Sequence, residues 1–154
     1  VLGDSMRSAA EINAALTAAP ALPVTFPGSG LGGQLAQAFR LISVQQALGM
    51  NRQIFFCGMG GFDNHDNLIN NHQGLMTTVN AALGAFYDAL AARGLLNQVT
   101  LFTESEFNRT GNANANVGTD HAWGGHHIVY GGAVNPGTYG TFPTLQLRGP
   151  DDAG

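Results

Sequence analysis

Leu75, Val79, Leu83, Phe86 and Leu90 form one apolar stripe at helical spacing, and a short apolar run flanks it on each side. The stripe predicts an amphipathic helix of about 21 residues, ~31 Å long. Asn70 with Gln73 three positions on resembles a capping box at its start, and Arg93 followed by Gly94 marks its end. The run before it, Ile54-Phe55-Phe56-Cys57, is continuously apolar between turn residues, as in a strand covered on both faces. The run after it, Val99-Thr100-Leu101-Phe102-Thr103, reads as a second strand. Strand, crossover helix and strand make a βαβ unit, which is right-handed and sets its strands parallel. That pattern places the chain in the α/β class.

The rest of the chain reads less sharply. Residues 5–19 predict a weak helix stopped by Pro20, and residues 20–33, with three prolines and four glycines, predict a loop. Leu35, Phe39 and Ile42 predict a helix from about Gly33 to Leu48, with Gly49 as its C-cap. Residues 58–71 and 108–119 are rich in Asn and Gly and read as loops. Ile128-Val129-Tyr130 is a third short strand, and residues 133–154 read as irregular turns. The chain begins at Val1 and ends in the loop-like Gly149-Pro150-Asp151-Asp152-Ala153-Gly154. It therefore reads as a single incomplete α/β domain over residues 1–154, part of a longer protein, with residues 1–30 a weakly structured lead-in.

Composition excludes several roles. Charged residues make up 10%, against ~25% in an average domain, and there is no lysine. Six arginines against ten acids give a net charge of −4 with no basic cluster, so a nucleic-acid partner bound through phosphates is not expected. No run of 18 apolar residues offers a membrane span. The one cysteine, Cys57, excludes an internal disulfide and a Cys-based zinc site, and its apolar run makes it an inert core thiol.

The scarce charge is concentrated. Gly60-Gly61-Phe62-Asp63-Asn64-His65-Asp66 follows the first predicted strand, and Glu104-Ser105-Glu106-Phe107-Asn108-Arg109-Thr110 follows the second. Both therefore emerge at the carboxyl edge of a parallel sheet, where ligands gather. Gly118-Thr119-Asp120-His121-Ala122-Trp123-Gly124-Gly125-His126-His127 precedes the third strand and reaches that edge if its strand runs antiparallel or its loop folds back. These three stretches hold four of the five histidines and five of the ten acids. Imidazole nitrogen with carboxylate oxygen suits zinc, and less specifically manganese or iron. The alternative is structural: Asp and Asn often form turns, and paired histidines are often half-buried polar residues. His72 reads as a capping or surface residue and Asp66 as a turn residue. Glu106, just past its strand, can lean into a site more freely than Glu104. Arg109 either clamps a phosphate or sulfate group or pairs with Glu104 or Glu106. Trp123 either walls a pocket or packs, and packing is the preferred reading.

At these blocks, with Gly131-Gly132-Ala133-Val134 and Tyr139-Gly140-Thr141-Phe142-Pro143, the sequence resembles a bacterial family catalogued as domain of unknown function 1501. The resemblance covers roughly residues 30–154. Asn108 departs from the family's usual glycine and Asn64 from its common threonine. The family is grouped with the alkaline phosphatase and sulfatase superfamily, which implies a three-layer α/β/α fold and a one- or two-metal site. By that resemblance this chain is the carboxyl-terminal portion of such a fold. Asp63 and His65 resemble ligands after the preceding strand. Asp120-His121 carries the familiar Asp-His pair, Glu106 stands directly after its strand, and His126 or His127 supplies a remaining ligand. The implied metal is zinc, with manganese or calcium as alternatives, and the implied substrate is a small anionic ester. The resemblance further implies export with a twin-arginine signal and a whole protein more than twice this length. The nucleophile would then lie upstream of Val1, in the missing remainder of the protein, and this piece alone would be inactive. The functional expectation is a metal-dependent hydrolase of phosphate or sulfate esters, with Arg109 meeting transition-state charge. The alternative is a non-catalytic exported binding or structural protein that keeps the fold.

Overall fold

The computed structural model describes residues 2–122, 124–144 and 146–152. The chain is mixed α/β, with three α-helices and two small antiparallel sheets among these residues. It divides into two compact units, Val1–Met59 with Thr78–Leu95, and Gly60–Thr77 with Leu96–Gly154. No helix among the described residues is long and apolar enough to cross a membrane.

The first unit carries the apolar core. Helix α1 (Leu2–Thr17) buries none of its residues, and the Arg40 guanidinium donates to the Leu16 carbonyl near its end at 3.2 Å. Helix α2 (Gly30–Ser43) starts three residues before the expected Gly33, because Ser29 caps it: the Ser29 hydroxyl accepts the Gly32 N–H at 3.1 Å. It ends at Ser43 rather than Leu48, and turns continue to Gly49. Its buried face is Gly32, Leu35, Ala38, Phe39 and Ile42. Helix α3 (Leu68–Ala92) has 25 residues and contributes Ala82, Phe86, Ala89 and Leu90 to the same core, in which Phe39 and Leu90 are the largest fully enclosed side chains.

Both ends of α3 follow from local chemistry. It starts at Leu68, not at Asn70. Asn67 precedes it at a φ of 41°, and the Asn70 side chain donates to the Asn67 side-chain oxygen at 2.9 Å. Asparagine tolerates that left-handed conformation better than most residues. At the other end the Leu95 N–H reaches the Leu90 carbonyl and the Gly94 N–H the Ala91 carbonyl, with Gly94 at a φ of 65°. These are the two bonds of a Schellman cap, and the expected Gly94 stop is therefore met.

The parallel βαβ unit is not formed. Ile54–Cys57 lies in no strand, and Ile54 and Phe56 are 92% and 89% exposed rather than covered. A strand of that kind needs a ladder partner, and among the described residues none pairs with it. Cys57 is accordingly half-buried, not a core residue, although partial burial still raises its thiol pKa. Gln34 on α2 holds the next residue, accepting the Gly58 N–H at 2.8 Å and donating to its carbonyl at 2.9 Å.

In the second unit, β1 (Leu101–Phe102) pairs antiparallel with β4 (Val129–Tyr130), so the two later apolar runs meet each other. Residues 108–119, expected as a loop, supply most of a hairpin instead. Strands β2 (Asn108–Ala113) and β3 (Thr119–Ala122) pair antiparallel, with Arg109 opposite His121 and a register shift between Arg109 and Ala113. Asp66 bridges to Val117 near the hairpin turn, and the Val117 carbonyl accepts the Leu68 N–H at the start of α3.

Candidate metal centre

Asp63 and His65 stand on the segment before α3, and His121 stands on β3 directly across from Arg109. The hairpin docks on that segment through main-chain bonds: the Thr119 N–H donates to the Asn64 carbonyl at 3.2 Å. The three side chains then converge. Asp63 Oδ1 lies 2.9 Å from His65 Nε2 and 2.9 Å from His121 Nε2, and the two imidazole nitrogens are 3.3 Å apart. Two ligands each ~2.0–2.1 Å from a tetrahedral zinc stand ~3.3–3.4 Å from one another, so this triangle is close to one face of such a site. The side chains are about half exposed, leaving the open face accessible.

Asp120 sets the direction of one ring. Its carboxylate meets His65 Nδ1 at 3.0 Å. An ionised carboxylate only accepts, so a neutral ring carries its proton on Nδ1 and turns the Nε2 lone pair toward Asp63 and His121. A carboxylate behind a histidine is the usual support of a metal-bound imidazole. The Nε2 lone pair and the Asp63 oxygen then face each other as two acceptors at hydrogen-bond distance, which is repulsive unless a proton or a cation lies among the three atoms. The donor set fits a divalent cation.

Arg109 is the nearest fixed positive charge. It donates to Asp63 Oδ1 at 2.6 Å, to the Thr119 hydroxyl at 3.0 Å and, through its other terminal nitrogen, to the Thr119 carbonyl. Its ionic partner is thus Asp63, not Glu104 or Glu106. The Phe107 ring stacks on His121 at 3.8 Å and 11°, and the Arg109 guanidinium lies 5.6 Å from the centre of the same ring. The Asp63 carboxyl is held below the usual carboxylate range, first by its hydrogen bond with His121 and then by Arg109. Asp120 is lowered as well, first by the Asn114 side-chain amide and then by His65. Both acids therefore stay ionised at neutral pH.

Of the candidates, Asp63, His65, Asp120, His121 and Arg109 come together. Glu106 and His127 are exposed and lie outside the cluster, and His126 instead faces Phe142, ring centres 5.0 Å apart. His72 is exposed on α3, its ring close to perpendicular to that of Phe62, as a surface residue should be. Trp123 lies outside the described residues. Phe107, Asn114 and Thr119 shape the site without having been singled out; Phe107 and Thr119 sit inside the charged blocks, and Asn114 is one of several asparagines in a turn-like stretch.

Residues 4–151 match a family described as "Protein of unknown function (DUF1501)". No curated protein and no solved structure matches the chain.

Proposed function

The chain belongs to the DUF1501 family, and for it we propose a divalent-cation site that serves the hydrolysis of phosphate or sulfate esters. The observation that carries the reading is the triangle of Asp63 Oδ1, His65 Nε2 and His121 Nε2, three atoms of metal-ligating type within 3.3 Å of one another on an accessible face. Asp63, His65 and His121 would hold the cation, zinc foremost with manganese or calcium as alternatives, and Asp120 would aim His65. A bound divalent cation polarises an ester oxygen and lowers the pKa of a water or hydroxyl nucleophile. Arg109, anchored on Thr119, holds positive charge beside Asp63, where it stabilises the oxygens that gain charge in the transition state. Glu106, His126 and His127 have no place in this reading.

Charge supports an anionic substrate. Two carboxylates against one guanidinium leave the cluster at −1 with neutral imidazoles, and a divalent cation turns it to +1 in a chain whose net charge is −4. An anionic ester is thus attracted only once the cation is bound. Membership of the alkaline phosphatase and sulfatase superfamily, its three-layer α/β/α fold and export belong to the same proposal. In such a fold, strands on either side of Ile54–Cys57 would cover the exposed Ile54 and Phe56.

The test is zinc binding followed by turnover. The purified protein should take up about one zinc, and Asp63→Ala or His121→Ala should abolish it. Aryl phosphate or aryl sulfate hydrolysis should disappear in the same variants and in chelator. Zinc uptake unchanged by both substitutions refutes the site. Zinc uptake with no turnover of either ester leaves a binding or structural metal and refutes the hydrolase.

A further inference from the structure

Asn114 sits at the end of β2, where the chain turns toward β3, and all its hydrogen-bonding groups are engaged. Its side-chain oxygen accepts the N–H groups of Asn116 and Gly118, each at 3.0 Å. Its main-chain N–H donates to the Gly118 carbonyl at 2.8 Å, and its own carbonyl accepts the Val117 N–H at 3.3 Å. The side-chain NH2 leaves the turn altogether. It donates to the His65 carbonyl at 2.9 Å and to Asp120 Oδ1 at 3.3 Å. That carboxylate oxygen is the one facing His65 Nδ1.

We propose that Asn114 is the positioning residue of the metal centre, acting through Asp120 on His65. The inference rests on the cation reading given above. One face of the amide fixes the turn between β2 and β3, which determines where Asp120 and His121 stand. The other face fixes the Asp120 oxygen, which determines the direction of His65 Nε2. One planar group therefore sets both the backbone that carries two members of the site and the ring that carries the third. A carboxylate at this position would keep the two acceptor bonds of the turn. It would replace both donors by an acceptor, facing the Asp120 carboxylate and the His65 carbonyl. Such groups behind a metal ligand typically contribute 10–100-fold in metal affinity.

The experiment is zinc affinity by competition with a chromophoric chelator, alongside thermal melting of each metal-free variant. Asn114→Asp is expected to weaken zinc binding by ~10-fold or more while the turn, and hence the melting temperature, changes little. Asp120→Ala removes the acceptor that the Asn114 amide addresses, so in that background Asn114→Asp has no carboxylate oxygen left to repel. Adding Asn114→Asp to Asp120→Ala should therefore cost little further affinity, a non-additivity that a purely structural role for Asn114 does not predict. An unchanged affinity in Asn114→Asp, or an equal further loss when it is added to Asp120→Ala, overturns the proposal. If Asn114→Asp does not fold, Asp120→Ala tests the same link from its other end and must lose comparable affinity; unchanged binding there also overturns it. The two readings fail differently: if the unaltered protein binds zinc no more tightly than Asp63→Ala, the cation site itself is wrong, whatever Asn114 does.

Discussion

Gly118 stands where the hairpin meets the Asp63–His65 segment, and replacing it with alanine tests how closely the two must approach. An added Cβ would fall well inside 3.0 Å of the His65 carbonyl carbon and oxygen and of the Asp66 nitrogen. All three are main-chain atoms, so no flexible side-chain tip can move aside. To reach ordinary contact, β3 or the His65 segment must retreat by roughly 1 Å, twice the ~0.5 Å within which such constellations must be held. The movement separates His65 from Asp120 and His121, since the first is on one side of the contact and the other two are on the other. Zinc affinity in Gly118→Ala should therefore fall ~10–100-fold, the range seen when support for a metal ligand is lost. Overpacking adds a stability loss of about 1–3 kcal/mol. Chelator competition reads the first and urea denaturation the second. Gly111→Ala, in the same hairpin but with nothing within 4 Å of its added Cβ, is the control and should leave zinc affinity unchanged. Equal zinc affinity in Gly118→Ala and the unaltered protein would refute the claim that this contact sets the site.

Val117 has a φ of 59° and a side chain 67% exposed, so a β-branched residue holds a left-handed turn with little packing in return. Val117→Asn should raise stability by about 1 kcal/mol in urea denaturation, and a loss would show that the valine packs more than its exposure indicates. Burial pushes the Tyr130 phenol up to about 12. Below pH ~10 both states are neutral there. Between pH ~10 and about 12 the unfolded chain ionises first, so stability falls as pH rises; Tyr130→Phe should flatten that part of the stability profile. Leu90 is 1% exposed in the core of the first unit, so Leu90→Ala should cost about 2–5 kcal/mol and the volume-conserving Leu90→Met less than ~1.5. Chemical denaturation of the two side by side distinguishes a packed core from a loose one.

The helices were legible because their signals are local. The α3 stripe needs only its own spacing, and the Gly94 stop needs only the last turn, whose two cap bonds join residues three and five apart. Strand pairing was not, because pairing is a property of two segments: the runs at Leu101–Phe102 and Val129–Tyr130 form strands as expected, but antiparallel to each other. Ile54–Cys57 is apolar enough for a buried strand, yet apolarity says nothing about which segment lies beside it. Asn108–Ala113 failed in the opposite direction. Asn-Arg-Thr-Gly-Asn-Ala has no alternation of apolar and polar residues, and this strand is held by side-chain bonds: the Thr110 hydroxyl accepts the Asp120 N–H, and Asn114 ties the turn. Those partners become visible only after the hairpin is closed.

The site was more legible than the sheet around it, for an electrostatic reason. In a chain with so few charged groups, acids and histidines that recur together mark a place where charge is tolerated, and Asp63, His65, Asp120 and His121 were found that way. Glu106, favoured because it stands just past its strand, lies outside the cluster: the hairpin begins at Asn108 and turns Arg109, not a glutamate, toward Asp63. The same poverty of charge shapes what the cluster can bind. With no lysine in the sequence, the competitor for the Asp63 oxygen is Arg109, and it is tethered at two other points on Thr119. A tethered guanidinium can yield one bond to an incoming cation without leaving the site. The groups that aim the cluster, the Asn114 amide and the main chain at Asn64 and Thr119, carry no charge and would not compete for the proposed cation.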